Sequence, residues 1–417
     1  MFEKQTDLVV IGAGPAGLAA ALAAAEGGVG EIILIDRLEE AGGILQQCIH
    51  NGFGLRYFGE ELTGPEYAWR FIEPLAKYPQ IELKTGTMVI ELTTDRRVIT
   101  VNPQDGLVVY HAKAIVLAMG CRERPRGAIN IPGDRPAGIF TAGTVQRLMN
   151  IEGLLPGKET VILGSGDIGL IMARRLTLEG VKVRAVLELL PYSSGLQRNI
   201  VQCLEDYQIP LYLSHTVTRI VGKDRIEAVE VAPVDEKLQP IMERGFRLDC
   251  DTLVLSVGLV PENELSLNAG IQLDAATGGP LVDSNYQTNI AGVFACGNVV
   301  HVHDLVDDVT EESRMAGGAA ALYIKGQLAE VTMIRVNGGR NVRSVVPQQI
   351  AADRPTTLYV RARFPERNQV LRVAGQDRTK LPVVTPGETI RYTLTPKELA
   401  EYQEYLSISI EGGASHG

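Results

Sequence analysis

Gly12-Ala13-Gly14-Pro15-Ala16-Gly17 stands between an apolar run at 7–11 and an alanine-rich run at 18–26. Glycines at these three spacings suit one task. The first makes a tight turn, the second lets backbone approach a pyrophosphate, and the third lets a helix pack closely on a strand. The helix N-terminus then faces the phosphate charge. Asp36 lies 19 residues past Gly17, just after a second apolar run at 32–35. A carboxylate in that position accepts hydrogen bonds from ribose hydroxyls. The bland alternative is a turn that merely permits packing, and strand, helix and acid standing in register argue against it.

Gly164-Ser165-Gly166-Asp167-Ile168-Gly169 repeats the pattern, with an apolar run before it, a helical run after it and Glu188 in the acid position. Gly12 to Asp36 and Gly164 to Glu188 both span 24 positions. Two units of equal internal length in one chain are a fold-level repeat. A carboxylate at 188 pairs with a free 2′-hydroxyl and repels a 2′-phosphate, which favours NAD over NADP. Arg198 is the nearby cation that would suit a phosphate instead. A second site that binds ATP and does no chemistry, in a non-catalytic scaffold, is the competing class.

Few other side chains carry telling chemistry. Cys48, Cys121, Cys203, Cys250 and Cys296 are odd in number and widely spaced, without a CxxC or CxxxxC pair. This excludes a disulfide framework, a zinc ribbon and a dithiol centre of the usual local spacing, and suits a reducing cytoplasm. His301 and His303 alternate ahead of Asp304, but nothing else in the sequence marks a ligand set, so no metal site is expected. Asp308 and Glu311 read as a helix N-cap and its N3 partner, and Asp307 and Glu312 as solvated or pairing charges.

The formal net charge of −10, spread along the chain, argues against nucleic acid or an anionic membrane as main partner. No apolar stretch reaches the roughly 18 residues that span a bilayer. The apolar run at 18–25 follows a glycine fingerprint and lacks a preceding basic cluster, so it reads as a helix rather than a leader.

Alternating strand and helix around both glycine clusters predicts parallel, doubly wound sheets. Past about residue 326 the pattern changes: Leu358, Val360, Ala362 and Phe364, and later Leu406, Ile408 and Ile410, alternate with polar residues. Period-two patterning predicts a small antiparallel β domain. Within it, Thr395, Pro396 and Glu398 predict one short capped helix.

With these motifs in hand, the chain resembles the two-dinucleotide-binding-domain flavoproteins of the pyridine nucleotide–disulfide oxidoreductase superfamily. The segment 115–120, ending Ala118-Met119-Gly120, resembles the superfamily's exit from the FAD domain. The segment 253–258, ending at Gly258, resembles its echo at the return. The segment 288–298, ending Cys296-Gly297-Asn298, resembles the late FAD motif, with Asn298 where Asp is usual. The resemblance implies an α/β fold with two Rossmann-like domains, the NAD(H) domain at 123–280 inserted into an FAD domain at 1–122 and 281–326, and a β-rich domain at 327–417. It also implies that the helix capped by Asp308 turns its positive end toward the flavin. The cofactor-binding set then adds Arg37, Gly43, Ala118, Gly120, Gly258, Gly297 and Asn298 to the two glycine clusters and their acids.

The segments 42–55, 62–67 and 304–312 resemble the FAD/NAD subunits of multi-subunit glycerol-3-phosphate, proline and opine dehydrogenases. That likeness implies hydride transfer between NAD(H) and FAD. A second flavoprotein subunit would oxidise the substrate, and a small cysteine-rich or iron–sulfur protein would be a further partner, because this chain has no cysteine after Cys296. Cys48 and His50 are the catalytic candidates beside the flavin. One alternative is a stand-alone NADH oxidase, peroxidase or disulfide reductase acting through Cys48. The other is a packed cysteine and a structural histidine.

Overall fold

The computed structural model describes residues 2–399, 402 and 404–412. The chain divides into two compact units, one built from Met1–Cys121 and Pro261–Gly417 and the other from Arg122–Val260.

The first unit is organised by strand Phe2–Ile11, whose inner residues Leu8, Val9, Val10 and Ile11 are buried on both faces of a sheet. Such a run has no polar face to turn to water, and parallel sheets covered by helices are where it fits. Ile32–Ile35, then Ile81–Lys84, line up parallel on one side, and Gly106–Leu117 lies parallel on the other. The far edge of Gly106–Leu117 is shared. Its first half takes antiparallel Arg97–Asn102, and its last three residues take parallel Val293–Ala295, so chain from both ends of the sequence completes one sheet. Helix Pro15–Glu26 is alanine-rich and buried almost throughout because helix Val306–Ile324 packs on it. A side chain at Gly317 would run into the Ala20 backbone, so this crossing needs a small residue there.

Five strands in parallel pairing form the second unit's main sheet: Ile139–Thr141, Thr252–Leu255, Glu159–Leu163, Lys182–Glu188 and Leu211–Leu213. A three-stranded antiparallel sheet of His215–Gly222, Ile226–Pro233 and Phe246–Asp249 adjoins it in sequence. The chain returns to the first unit at Pro261, about twenty residues before the position 281 expected from sequence. The reason is packing. Ala269 and Ile271 join the first unit's core, and Asn263 donates to the carbonyls of Gly278 and Val299.

The expected β-rich C-terminal region clusters with the first unit. One of its sheets holds Gln349–Ala351, Met333–Gly338, Tyr405–Gly412, Glu366–Val373 and Gln376–Val384, and a second holds Val342–Val346, Thr356–Ala362 and Thr389–Leu394. Pairing is antiparallel except between Met333–Gly338 and Tyr405–Gly412, which run parallel. Leu358, Val360, Ala362, Leu406, Ile408 and Ile410 are buried as the alternation predicts, but Phe364 is 63% exposed because its strand ends at Ala362. The predicted capping box is present: Glu398 accepts from the Thr395 N–H and the Glu398 N–H donates to Thr395 Oγ1. Among the described residues no helix is long and apolar enough to cross a membrane.

Candidate functional site

In the first unit the glycine turn follows directly from its strand. Gly12 has φ of +104°, and a side chain there would strike the Ala118 carbonyl, so the ends of the two central strands can meet only because residue 12 is glycine. Gly17 sits under the Gly12 carbonyl, where again no side chain fits. Pro15 and Ala16 form the first helical turn, with the Gly14 backbone as N-cap. Gly43, at φ +55°, would place a Cβ 3.0 Å from Gly14 Cα, and Gly297, at φ +73°, one 2.7 Å from Ala16 Cβ. Residues from four distant stretches, 12–17, 43, 118 and 297, therefore converge on one helix N-terminus. Asp36 is buried and faces the same turn: its Oδ2 accepts from the Ala13 N–H at 2.7 Å and its Oδ1 from the Leu38 N–H at 2.8 Å. Arg37 is exposed beside it, and Gly120 has open space where a side chain would stand.

The second unit repeats this arrangement atom by atom. Gly164, at φ +102°, abuts the Ser256 carbonyl, and Gly169 lies close to both Gly164 and Ser256. Glu188 Oε2 accepts from the Ser165 N–H at 3.0 Å and the Ser165 hydroxyl at 2.5 Å, and Oε1 accepts from the Leu190 N–H. Ser165 and Leu190 are the counterparts of Ala13 and Leu38. Asp167 anchors the following loop by accepting from the Leu196 N–H and from Asn199, and Ile168 is half-buried in the same turn. Gly258 adopts φ +103° in open space, and Arg198 is exposed.

Asn298 uses the amide it has in place of the usual acid. Its Oδ1 accepts from the His303 N–H at 3.0 Å and lies 3.2 Å from His303 Nδ1, while its Nδ2 faces Cys121 Sγ at 3.7 Å. A carboxylate could accept but not donate, so the amide serves both neighbours. Nothing in the sequence marks Cys121, because its relation to Asn298 is purely three-dimensional.

The structure gives Cys48 and His50 local partners. The Cys48 thiol donates to the Ile44 carbonyl at 3.3 Å, and its carbonyl accepts from the Gly64 N–H. His50 Nδ1 lies 2.9 Å from the Asn51 carbonyl, and its ring sits against Phe53. None of the five cysteines is in a disulfide. Burial pushes the thiols of Cys203, Cys250 and Cys296 up to about 11, 12 and 12, which leaves them protonated and inert near neutral pH. Cys48 and Cys121 are the half-buried pair.

The acidic helix start departs from expectation. Helix Val306–Ile324 has Leu305, not Asp308, at its N-cap. Asp308 instead takes Arg56 at 2.8 Å and Arg391 at 2.6 Å, Glu311 takes Arg391 at 2.6 Å, and Asp307 accepts from the Tyr57 N–H. Three carboxyl groups in the first two turns complement the helix dipole, and arginines from both sides answer the charge. Burial raises Asp308, with Arg56 and His303 opposing it. Glu312, expected as a solvated or pairing charge, is a pairing one: it is fully buried against His301 and His303. Burial would raise its carboxyl too, but His303 and His301 outweigh that and hold it at about 2. Burial pushes His301 down to about 4. The C-terminal region closes over this cluster with Arg361 on Asp304 at 2.6 Å and Tyr359 against both imidazole rings. The sequence does hold a signal for Glu312: Val309, Ala316 and Ala320 set a helical stripe that includes 312 and 313.

Comparison with known proteins adds three findings. A family described as pyridine nucleotide-disulphide oxidoreductase matches residues 6–316. Two curated relatives are subunits of larger enzymes. Hydrogen cyanide synthase subunit HcnB of Pseudomonas protegens is 24% identical over 92% of this chain and 80% of its own length. An opine oxidase subunit of Agrobacterium tumefaciens is 26% identical over 79% of this chain and 65% of its own length. Among solved structures, thioredoxin reductase of T. acidophilum matches with a TM-score of 0.63 at 23% identity, covering 78% of this chain and 99% of that one.

Proposed function

The chain belongs to the pyridine nucleotide-disulphide oxidoreductase family, FAD-dependent enzymes that use NAD(P)H, and from that premise we propose that it is the electron-transferring subunit of a multi-subunit dehydrogenase. The observation that carries the reading is the atom-level equivalence of the two glycine turns, each with a buried acid accepting from matching backbone groups. FAD belongs at the first turn, where the space at Gly14 lies open beside Gly43 and where Ala118, Gly120, Gly297 and Asn298 gather. NAD(H) belongs at the second, at Gly164–Gly169 and Glu188. When bound, FAD supplies hydride-accepting chemistry toward NADH or the reverse.

The chain's own residues bind and orient. Asp36 and Glu188 each accept from two backbone N–H groups, which holds a carboxylate toward the ribose of the nucleotide at its own turn. Glu188 disfavours a 2′-phosphate, so NADH is the expected partner rather than NADPH. Membership of a larger complex is supported by HcnB and the opine oxidase relative, both of them subunits by name. A second flavoprotein subunit would oxidise a substrate of the amino-acid or glycerol-3-phosphate kind, and a small cysteine-rich or iron–sulfur protein would carry electrons further.

The purified chain should be yellow, and anaerobic NADH should bleach its absorbance near about 450 nm. A flavin that stays oxidised under excess NADH and NADPH would mark a binding scaffold instead. Cys48→Ser should keep most NADH–dye reductase activity. Loss of that activity with FAD still bound would move the reading to a single-cysteine reductase.

A further inference from the structure

His301, His303 and Glu312 come together from a loop and a helix in a way that the sequence does not announce, since Glu312 lies nine residues beyond His303. Nε2 of His301 and Nε2 of His303 each stand 3.1 Å from the same oxygen, Glu312 Oε2. The three donor atoms lie within 4.8 Å of one another. Side-chain exposure is 9% for His301, 2% for His303 and 0% for Glu312.

The hydrogen bonds around the cluster define what the donors present inward. The His303 backbone N–H donates to Asn298 Oδ1 at 3.0 Å, which fixes the orientation of that amide. The same oxygen lies 3.2 Å from His303 Nδ1, so Nδ1 carries the proton and donates to it. In the neutral ring Nε2 is then a bare lone pair, and it faces a carboxylate oxygen. The other carboxylate oxygen, Oε1, accepts from the Gly297 N–H at 2.6 Å and is directed outward from the pair. The His301 and His303 rings are only 3.9 Å apart between centroids, which opposes a positive charge on both. His301 Nε2, His303 Nε2 and one carboxylate oxygen converge out of water, a donor set that a cation can share in place of any Nε2 proton. An outer partner on the far nitrogen of a histidine, and another on the far oxygen of a carboxylate, is the arrangement that orients metal ligands.

We propose that His301 Nε2, His303 Nε2 and Glu312 Oε2 form a binding site for a divalent first-row transition ion of the Zn²⁺ class. Two imidazoles and one carboxylate suit such an ion, whereas Mg²⁺ and Ca²⁺ prefer oxygen donors throughout. The ion would bolt the loop that carries Gly297 and Asn298 to helix Val306–Ile324, and Tyr359 would cover it.

The test uses the full chain, freed of any histidine tag. Elemental analysis of the purified protein should find a stoichiometric first-row metal. Chelator-stripped protein titrated with Zn²⁺ alone should show one tight site by calorimetry. X-ray absorption of the Zn²⁺ form should show a nitrogen and oxygen shell without sulfur. Glu312→Gln and His303→Asn should abolish that site, Asn298→Ala should weaken it about 10–100-fold, and His215→Asn, far away in sequence in the other unit, should leave it intact. Circular dichroism identifies variants that fold. The wild-type titration stands whether or not they do. Absence of tight Zn²⁺ and Co²⁺ binding by the wild type would overturn the proposal and leave a proton-bound imidazole–carboxylate pair. Unchanged binding in a folded His303→Asn variant would overturn it as well.

Discussion

Gly14→Ala is expected to give a folded, colourless protein. A Cβ at residue 14 meets its first heavy atom, Gly43 Cα, only at 4.0 Å, and the backbone φ of −74° suits any residue. The cost to the helix N-cap is about 1 kcal/mol, small for a chain of this size. The added methyl occupies the space that lets backbone approach a pyrophosphate. Far-UV circular dichroism should therefore match wild type, while bound FAD per chain falls to a small fraction. Retention of stoichiometric FAD would show that this turn does not face the flavin nucleotide.

The matching change in the second unit should separate the two nucleotides. A Cβ at Gly166 lies 3.7 Å from Ser194 Oγ and 4.0 Å from Ser256 Oγ, both ordinary contacts, at φ −67°. Gly166→Ala should keep its yellow colour and its fold, with the same N-cap cost of about 1 kcal/mol. Its KM for NADH should rise at least about 10-fold, a loss of about 1.4 kcal/mol or more in binding, with kcat far less affected. An unchanged KM would remove this turn from the reaction. The two variants together distinguish a chain with two working nucleotide sites from one in which the second fold is only scaffold.

Both expectations start from positions legible in the sequence. The glycine spacings, the buried runs ahead of them and the acids 24 positions after Gly12 and Gly164 all rest on local geometry, and local geometry is what sequence pattern records best. Alternation likewise reveals the C-terminal strands, and residue types reveal the Thr395–Glu398 cap. What escapes the sequence depends on contacts distant along the chain. The early return at Pro261 follows from Ala269 and Ile271 joining a core assembled elsewhere. Asp308 is no cap because Arg56 and Arg391, 252 and 83 residues away, claim it. Glu312 reads from sequence only as a solvated or pairing charge, since a glutamate is rarely buried without partners and its partners lie elsewhere. Its partners, His301 and His303, stand out in the sequence only as a pair with no third member.

The shared edge of strand Gly106–Leu117 bears on the order in which the protein can form on the ribosome. Arg122–Val260 is one unbroken stretch, so its contacts can close as soon as it emerges. The first unit must wait. Its sheet lacks Val293–Ala295, and helix Pro15–Glu26 lacks the cover of Val306–Ile324, until nearly three hundred residues after the first glycine turn has been synthesised. Even then Asp304, Asp308 and Glu311 stay without Arg361 and Arg391 until strands Thr356–Ala362 and Thr389–Leu394 arrive. Such long sequence separations slow folding and leave apolar surface uncovered meanwhile. The later-made nucleotide fold is thus the earlier to mature, and a chain cut short before Arg391 would present Asp308 with Arg56 alone and Glu311 without the arginine that answers it.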